Sequence, residues 1–414
     1  GAVAEGYTSN MKYSWKRWHQ RLEPYFPLDT LYPSWDYFES KEFEAVELIP
    51  PELEQPVKVT PVPKTLKGPR IIAIEPACMQ YVQQGIKDVL YERLETFEIS
   101  AGHVNFTDQS INQEMALRAS RDSSLATIDL SEASDRVPYS LAIRMFDSNP
   151  LLRDIIDACR STRAITPDGE IYSLRKFASM GSALCFPVEA IYFYTVCVMA
   201  RLEIHHLPVS YANCLKVSRE IYIYGDDIIV PANEATVILD YLHKYHCKVN
   251  VHKSFWHGYF RESCGLDAYL GQVVTPIYIR RLRPENKQQA DRVVSWIRTA
   301  HLFYKKGMWR VADYMYNMCS RIIGALPYVS DDSPGLGRIS FLRYRDIERY
   351  NERYQRFEVK AWVASPVYRT DVLGDYAALA KSLRMAGRLF RDPLDLQRSA
   401  QHGAVTLKRR WVPA

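Results

Sequence analysis

The chain has 414 residues, 47% of them hydrophobic and 24% charged, with 53 basic against 48 acidic side chains and a formal net charge of +5. That length and apolar content suffice for a large core in one multi-part domain or two to three subdomains, and the mild positive balance fits a nucleic-acid enzyme without demonstrating one. The eight cysteines form no CxxC pair and no metal-ligand spacing with histidine, which excludes a cysteine-held metal and points to free, mostly buried thiols in a reducing cytosol.

No signal-peptide pattern opens the chain, and Gly1 stands where an initiator Met is expected, as in a processed form or a fragment. From Tyr13 to Phe43 aromatics alternate with Pro24, Pro27 and Pro33, a pattern of short helices and turns. Pro50–Pro63 is proline-dense and predicts extended backbone. It leads into a basic turn carrying Lys64, Lys67 and Arg70, then an apolar strand, Ile71–Ile74. Met79–Leu94 has helical spacing, Ser124–Leu130 reads as a buried strand ending at Asp129, and a helix follows Pro138 toward Phe146. Ala183–Ala200 is the longest apolar stretch, but Pro187 and Glu189 inside it favour a buried core helix over a membrane span. Glu220–Tyr224 and Ile228–Val230 flank Gly225-Asp226-Asp227, a hairpin with an acidic tip. Ala235–Tyr245 is an amphipathic helix, Cys247–Val251 an edge strand, and Tyr259–Ile279 a hairpin turning near Gly265 and Gly271. From Pro284 onward the pattern reads as mostly helical, with basic and aromatic residues interleaved, among them Trp296, Arg298, Tyr304 and Lys305. Strands in the middle and helices at the end predict an α+β fold.

The chemistry concentrates in the acidic residues. A strand ending in Asp129 beside a hairpin presenting Asp226 and Asp227 supplies the carboxylates that hold two Mg²⁺ ions for phosphoryl transfer. Alone, Gly-Asp-Asp is an ordinary acidic turn; the flanking apolar runs and the strand-terminal Asp make it a site. Asp135 is either a helix-capping carboxylate or a contact to an incoming ribose 2′-OH. Ser179 and Gly181 lie in a small-residue loop that suits either a plain helix entry or close approach of a sugar-phosphate. Lys64, Lys67 and Arg70 form either a solvated basic turn or a triphosphate clamp. Lys253 is either a surface lysine or a general acid for a pyrophosphate leaving group. His205, His206, His243 and His246 lack further ligand spacing and read as structural or surface residues.

In order, VPKTLKGPRIIAIEP (62–76), TIDLSEASDRV (127–137), SMGSALCFPVE (179–189), IYGDDIIV (223–230), FRESCG (260–265) and VTPIYIR (274–280) resemble the motifs of viral RNA-dependent RNA polymerases. More narrowly, they resemble the replicase catalytic (beta) subunit of the leviviruses, positive-strand RNA bacteriophages. The resemblance implies a right hand: fingers over 1–120, palm over 121–149, a return to the fingers over 150–178, palm again over 179–280, and a helical thumb over 281–414. It implies a four-stranded antiparallel palm sheet, metals on Asp129, Asp226 and Asp227, and nucleotide contacts from Lys64, Lys67, Arg70, Asp135, Ser179 and Gly181. It also implies Lys253 as general acid and a primer-supporting role for 260–265; Ser182 stands where many relatives have Asn. The implied cofactor is a pair of Mg²⁺ ions, with Mn²⁺ as substitute. The implied partners are single-stranded template, nascent RNA, NTPs, host elongation factors Tu and Ts and a ribosomal protein, in the bacterial cytoplasm and away from membranes. Reverse transcriptases share the palm, but Asp135 and the Gly before the paired Asp favour RNA synthesis. A non-catalytic scaffold commonly loses one of the three carboxylates kept here.

Overall fold

Strand alternation decides the centre of the chain. In the computed structural model, which describes residues 5–7, 15–31, 41–65, 68–367, 375–385 and 405–414, the chain divides into two units. The first comprises Gly1–Thr275 with Val372–Lys381, the second Pro276–Asp371 with Ser382–Ala414. The fold is α+β.

The first unit opens with β1 (Arg17–His19), α1 (Lys41–Glu44) and β2 (Glu47–Ile49), with β1 and β2 paired in parallel. Of the 13–43 stretch, the described part holds β1 and two short 3₁₀ turns, as the prolines predict. β3 (Val57–Thr65) and β4 (Gly68–Ile74) pair antiparallel, so the proline-dense segment is extended as expected. α2 (Ala77–Thr96) and α3 (Ser110–Asp122) lead to β5 (Leu125–Asp129). α4 (Tyr139–Arg144), α5 (Pro150–Ala158), β6 (Arg163–Ile165) and β7 (Ile171–Ser173) follow, and the last two extend the β3–β4 sheet. Then come α6 (Cys185–Ile204), α7 (Tyr211–Ser218), β8 (Tyr222–Tyr224), β9 (Asp227–Pro231) and α8 (Ala235–Lys244). β10 (Phe260–Ser263), β11 (Leu266–Tyr269) and β12 (Gln272–Val273) close the unit.

β5, β9 and β8 form the central antiparallel sheet, in that order. Side chains alternate across it. Ala126, Ile128, Ile223, Ile228 and Val230 point into the main core, which they share with α2, α6 and α8. Leu125 and Ile229 point the other way, onto Ala119 and Met115 of α3. α6 passes the length and composition test for a membrane span, yet 72% of its apolar window is buried inside the protein, so it is the core helix that Pro187 and Glu189 predict.

Three expectations are corrected. The central sheet has three strands rather than four. The expected edge strand, Cys247–Val251, makes only the single bridge Leu130–Val249, closed by the Asn250 N–H on the Asp129 carbonyl at 2.9 Å and the Ser131 N–H on the Lys248 carbonyl at 2.7 Å, because the chain then leaves the sheet in a 3₁₀ turn at Val251–Lys253. The 259–279 segment is a three-stranded meander, β10–β11–β12, rather than a two-stranded hairpin, and its two tight turns fall at the expected glycines, with left-handed residues at Cys264-Gly265 and Leu270-Gly271.

The second unit opens with two helices. α9 (Ala290–Lys305) and α10 (Trp309–Ile323) pack around Val293, Ile297, Ala300, Met315 and Cys319. Beyond them stand β13 (Gly335–Leu336), β14 (Arg349–Asn351), β15 (Arg356–Pro366) and β16 (Val405–Pro413), a four-stranded antiparallel sheet. α11 (Asp375–Met385) lies between β15 and β16 in sequence. Among the described residues past 323 the expected helix is met in α11, but β13 to β16 are strands instead, because charged and apolar residues alternate there, as in Glu358-Val359-Lys360-Ala361.

Candidate active site

Asp129 ends β5 and Asp227 begins β9, and the two are direct register partners across the strand pair. Both lie on the sheet face that α3 covers at Leu125 and Ile229, half-buried at the far end of that face, where the Cys264 N–H reaches Asp227. Asp226 stands exposed at the hairpin tip. Gly225 makes that tip possible: its φ is +60°, and a Cβ there would lie 2.0 Å from the Phe186 ring of α6. The turn is therefore seated on the first turn of the core helix, where Phe186 also packs edge-on against Tyr224 with centroids 5.4 Å apart.

The Asp129 and Asp227 carboxylates are oriented by a neutral amide and by a backbone N–H. The Asn250 amide donates to Asp129 Oδ2 at 2.7 Å, and the Asp129 N–H donates to Ser254 Oγ at 3.1 Å. The Cys264 N–H donates to Asp227 Oδ2 at 3.1 Å, which ties the β10–β11 turn to the acidic hairpin. Burial, then the charges of Asp226 and Asp129, raise the Asp227 carboxyl to about 7, against the lowering effect of the Cys264 N–H. Glu189, one turn into α6, is raised to about 8 by burial and then by Asp226, while the Cys185 thiol donates to it at 3.8 Å. Like charges gathered so closely are costly by themselves and favour a cation.

A second cluster lies beside the first. Asp135 pairs with Lys176 at 2.5 Å, and these two, with Ser179, Met180 and the β3–β4 strands at Val59 and Ile71–Ala73, line a cleft of about 80 Å³. Gly181 has φ +133°, and a Cβ on it would meet the Ala73 carbonyl at 2.0 Å, so the 179–182 loop lies directly on β4. Ser182 turns inward instead and donates to Gln83 Oε1 at 3.0 Å. Arg70 is exposed on β4; Lys67 and the Lys64 side chain lie outside the described residues. Lys253 Nζ is 3.8 Å from Glu262 Oε1, and Glu262 is raised by burial and lowered by that lysine.

Among the described residues no three His, Cys, Asp or Glu donors already stand at metal-binding spacing. The donor chemistry nonetheless fits Mg²⁺, which takes few carboxylates and keeps several waters. The sequence reading missed Asn250, Ser254, Glu262 and Lys176. Only Glu189 carried a signal, as the lone charge inside an apolar run.

The RNA replicase, beta-chain family model matches residues 41–295, more than half of the chain and every element just described from β3 to β12. The chain belongs to that family. This replicase beta-chain is 36% identical over 240 residues to the RNA-directed RNA polymerase subunit beta of Enterobacteria phage SP, covering 58% of this chain and 38% of that protein. It is 35% identical over 223 residues to the same subunit of Qbeta virus (strain MX1), covering 54% and 35%. To the RNA-directed RNA polymerase beta chain of Escherichia phage MS2 it is 37% identical over 220 residues, covering 53% and 37%. The matched region thus spans little more than a third of each relative. Among solved structures, the insertion loop deletion mutant of the RNA-dependent RNA polymerase of a human picorbirnavirus aligns at a TM-score of 0.40 and 11% identity, over 64% of this chain and 57% of that one, too remote to bear on the assignment.

Proposed function

We propose that this chain is an RNA-directed RNA polymerase that copies a single-stranded RNA template from NTPs and so replicates a positive-strand phage genome. The observation that carries the reading is the register pair Asp129–Asp227 with Asp226 at the adjoining tip, three carboxylates at one sheet end in a chain of the replicase beta-chain family. Two Mg²⁺ ions held by these residues, replaceable by Mn²⁺, supply charge neutralisation for attack of an RNA 3′-hydroxyl on the NTP α-phosphate with release of pyrophosphate. Asn250 and the Cys264 N–H fix the rotamers of Asp129 and Asp227 beforehand, which is positioning established before substrate arrives.

The cleft beside Asp135 suits the nucleotide. Its Lys176 meets phosphate or ribose oxygens, Ser179 and Gly181 permit close backbone approach, and Lys64, Lys67 and Arg70 of the β3–β4 hairpin supply triphosphate charge. Asp135 reads the 2′-OH directly or through Lys176. Lys253, held near Glu262, is the general acid for pyrophosphate, and the 260–265 turn supports the primer end through its bond to Asp227. In hand terms, residues 1–120 and 150–178 are fingers, 121–149 and 179–280 palm, and 281–414 thumb. Action inside the bacterial host cell, and help from elongation factors Tu and Ts and a ribosomal protein, follow from the family resemblance.

The test is purified chain with RNA template, NTPs and Mg²⁺, with and without host lysate. Template-dependent RNA product supports the reading; no product under either condition, with the chain folded, sinks it.

A further inference from the structure

The sheet of the second unit has two unlike faces. Val359, Ala361 and Val412 point to one side and form a small core with Val329 and Ala414. The register sets Glu358, Lys360 and Trp362 on the other side, opposite Pro413, Trp411 and Arg409 of β16, with Arg349 of β14 opposite Glu358. At one end of that face Trp362 and Leu407 pack onto the helical core. The other end carries the exposed Arg349, Lys360 and Arg409 and the half-buried Arg356 and Trp411.

Charge and geometry there are unusual for a structural sheet. The guanidinium of Arg349 lies 4.1 Å from the Trp411 ring centroid and the Lys360 ammonium 5.6 Å from it. In the β14–β15 connection, Arg356 and Arg353 lie 4.9 and 5.6 Å from the Tyr354 ring. Glu358, the one acid that the strand register places on this face among the described residues, accepts from Arg349 at 2.6 Å and from Arg356 at 2.9 Å, while Glu352 lies in the β14–β15 connection. Those bonds fix the two guanidiniums, and one carboxylate does not neutralise four cations. Fixed cations alternating with rings match a chain in which phosphates alternate with bases. The rings need bases free of pairing, which selects a single strand over a duplex.

We propose that this face, Arg349, Arg356, Lys360, Arg409 and Trp411, is a binding track for single-stranded RNA, separate from the carboxylate site. The choice of RNA among single-stranded polyanions rests on the polymerase reading; the track itself does not. The interleaved Trp296, Arg298 and Lys305 of α9 are engaged within their own unit instead. Trp296 is buried with its Nε1 donating to the Arg281 carbonyl, Arg298 donates to the carbonyls of Asp331 and Ser333, and Lys305 pairs with Asp331.

The experiment uses the full chain and a fluorescent single-stranded oligoribonucleotide of about ten nucleotides, a length within the range one such surface holds. Trp411→Leu is expected to weaken binding about tenfold, the loss of one stacked base. Lys360→Ala with Arg409→Ala is expected to lower the slope of log K against log salt by about 1.4, the release from two phosphates of a single strand. Asp227→Asn is expected to bind like the parent. Unchanged affinity and slope in the folded sheet variants overturn the proposal. Where a variant does not fold, 4-thiouridine RNA photo-crosslinked to the parent chain decides instead: adducts within 349–360 or 405–414 support the track, and adducts confined to the first unit overturn it. A chain that binds through the sheet but adds no nucleotide upholds this inference and defeats the polymerase reading. Normal addition with unaltered binding by the sheet variants does the reverse.

Discussion

Two covered carboxylates, Glu189 in the first unit and Glu358 in the second, titrate in opposite directions. Glu189 is raised to about 8 because burial and Asp226 both oppose its charge. Glu358 is lowered to about 2 because Arg349, Asn351 and Arg356 donate to it, outweighing its desolvation. Glu358 lies beneath little more than these partners, so its ions complete a structural network. Around Glu189, Asp226 and Asp227 the protein gathers acids on acids, a state that costs stability and is kept where a cation is to be bound. The contrast separates a carboxylate that holds the fold together from carboxylates that the proposed function holds ready for chemistry.

The largest effect expected is catalytic. Asp226→Asn and Asp227→Asn should each lower nucleotide addition by at least about 10²–10³-fold, the scale for losing a preorganised electrostatic group, while RNA affinity stays near that of the parent. Single-turnover extension and anisotropy on the same preparations check both halves. For Asp227→Asn, the melting temperature in EDTA at pH 8 should rise, because a carboxylate raised to about 7 disfavours the folded state once ionised.

Arg261 comes next. It is fully buried and donates to the carbonyls of Leu125, Gly258 and Phe260 at 2.6, 2.9 and 2.7 Å, fastening the β10–β11 hairpin to β5. Arg261→Ala should destabilise by about 3–5 kcal/mol in urea unfolding, since it strands buried acceptors.

The contrast itself is read by pH. Glu358 contributes stability that is present above its unfolded value near 4.5 and is lost as pH falls toward 2, so Glu358→Gln should flatten the acid limb of a melting profile. Glu189 has the opposite sign. Its contribution is full below about 4.5 and is lost as pH rises toward 8, so Glu189→Gln should melt higher than the parent at pH 8 and alike at pH 4. Matching pH profiles for the two variants would erase the distinction.

The smallest effect concerns sugar choice. Asp135→Ala should reduce the preference for GTP over dGTP by about tenfold, within the cost of one unsatisfied partner. A lower melting point with an unchanged ratio makes Asp135 only the anchor of Lys176.

What the sequence made legible followed from period and punctuation. Asp129 and the Asp226–Asp227 tip were visible because apolar strands run straight into them, and α6 because Pro187 and Glu189 interrupt an otherwise membrane-like run. Asn250 was hidden because its contact with Asp129 spans 121 positions, and nothing local marks such a pairing. Lys176 was hidden in the same way: its partner Asp135 lies 41 residues back. The sheet of the second unit is hidden because interleaved basic and aromatic residues also suit a helical surface, and the period-two pattern of β15 and β16 is broken by buried neighbours such as Glu358-Val359 and by the run Lys408-Arg409-Arg410.

The most direct measurement is single-nucleotide incorporation by the purified chain on a defined RNA template in Mg²⁺, run beside Asp226→Asn and Asp227→Asn. The account predicts a templated product for the parent, abolished by EDTA, and essentially none for either variant while both melt no lower than the parent. Extension by either variant at the parental rate, with the same metal dependence, contradicts it.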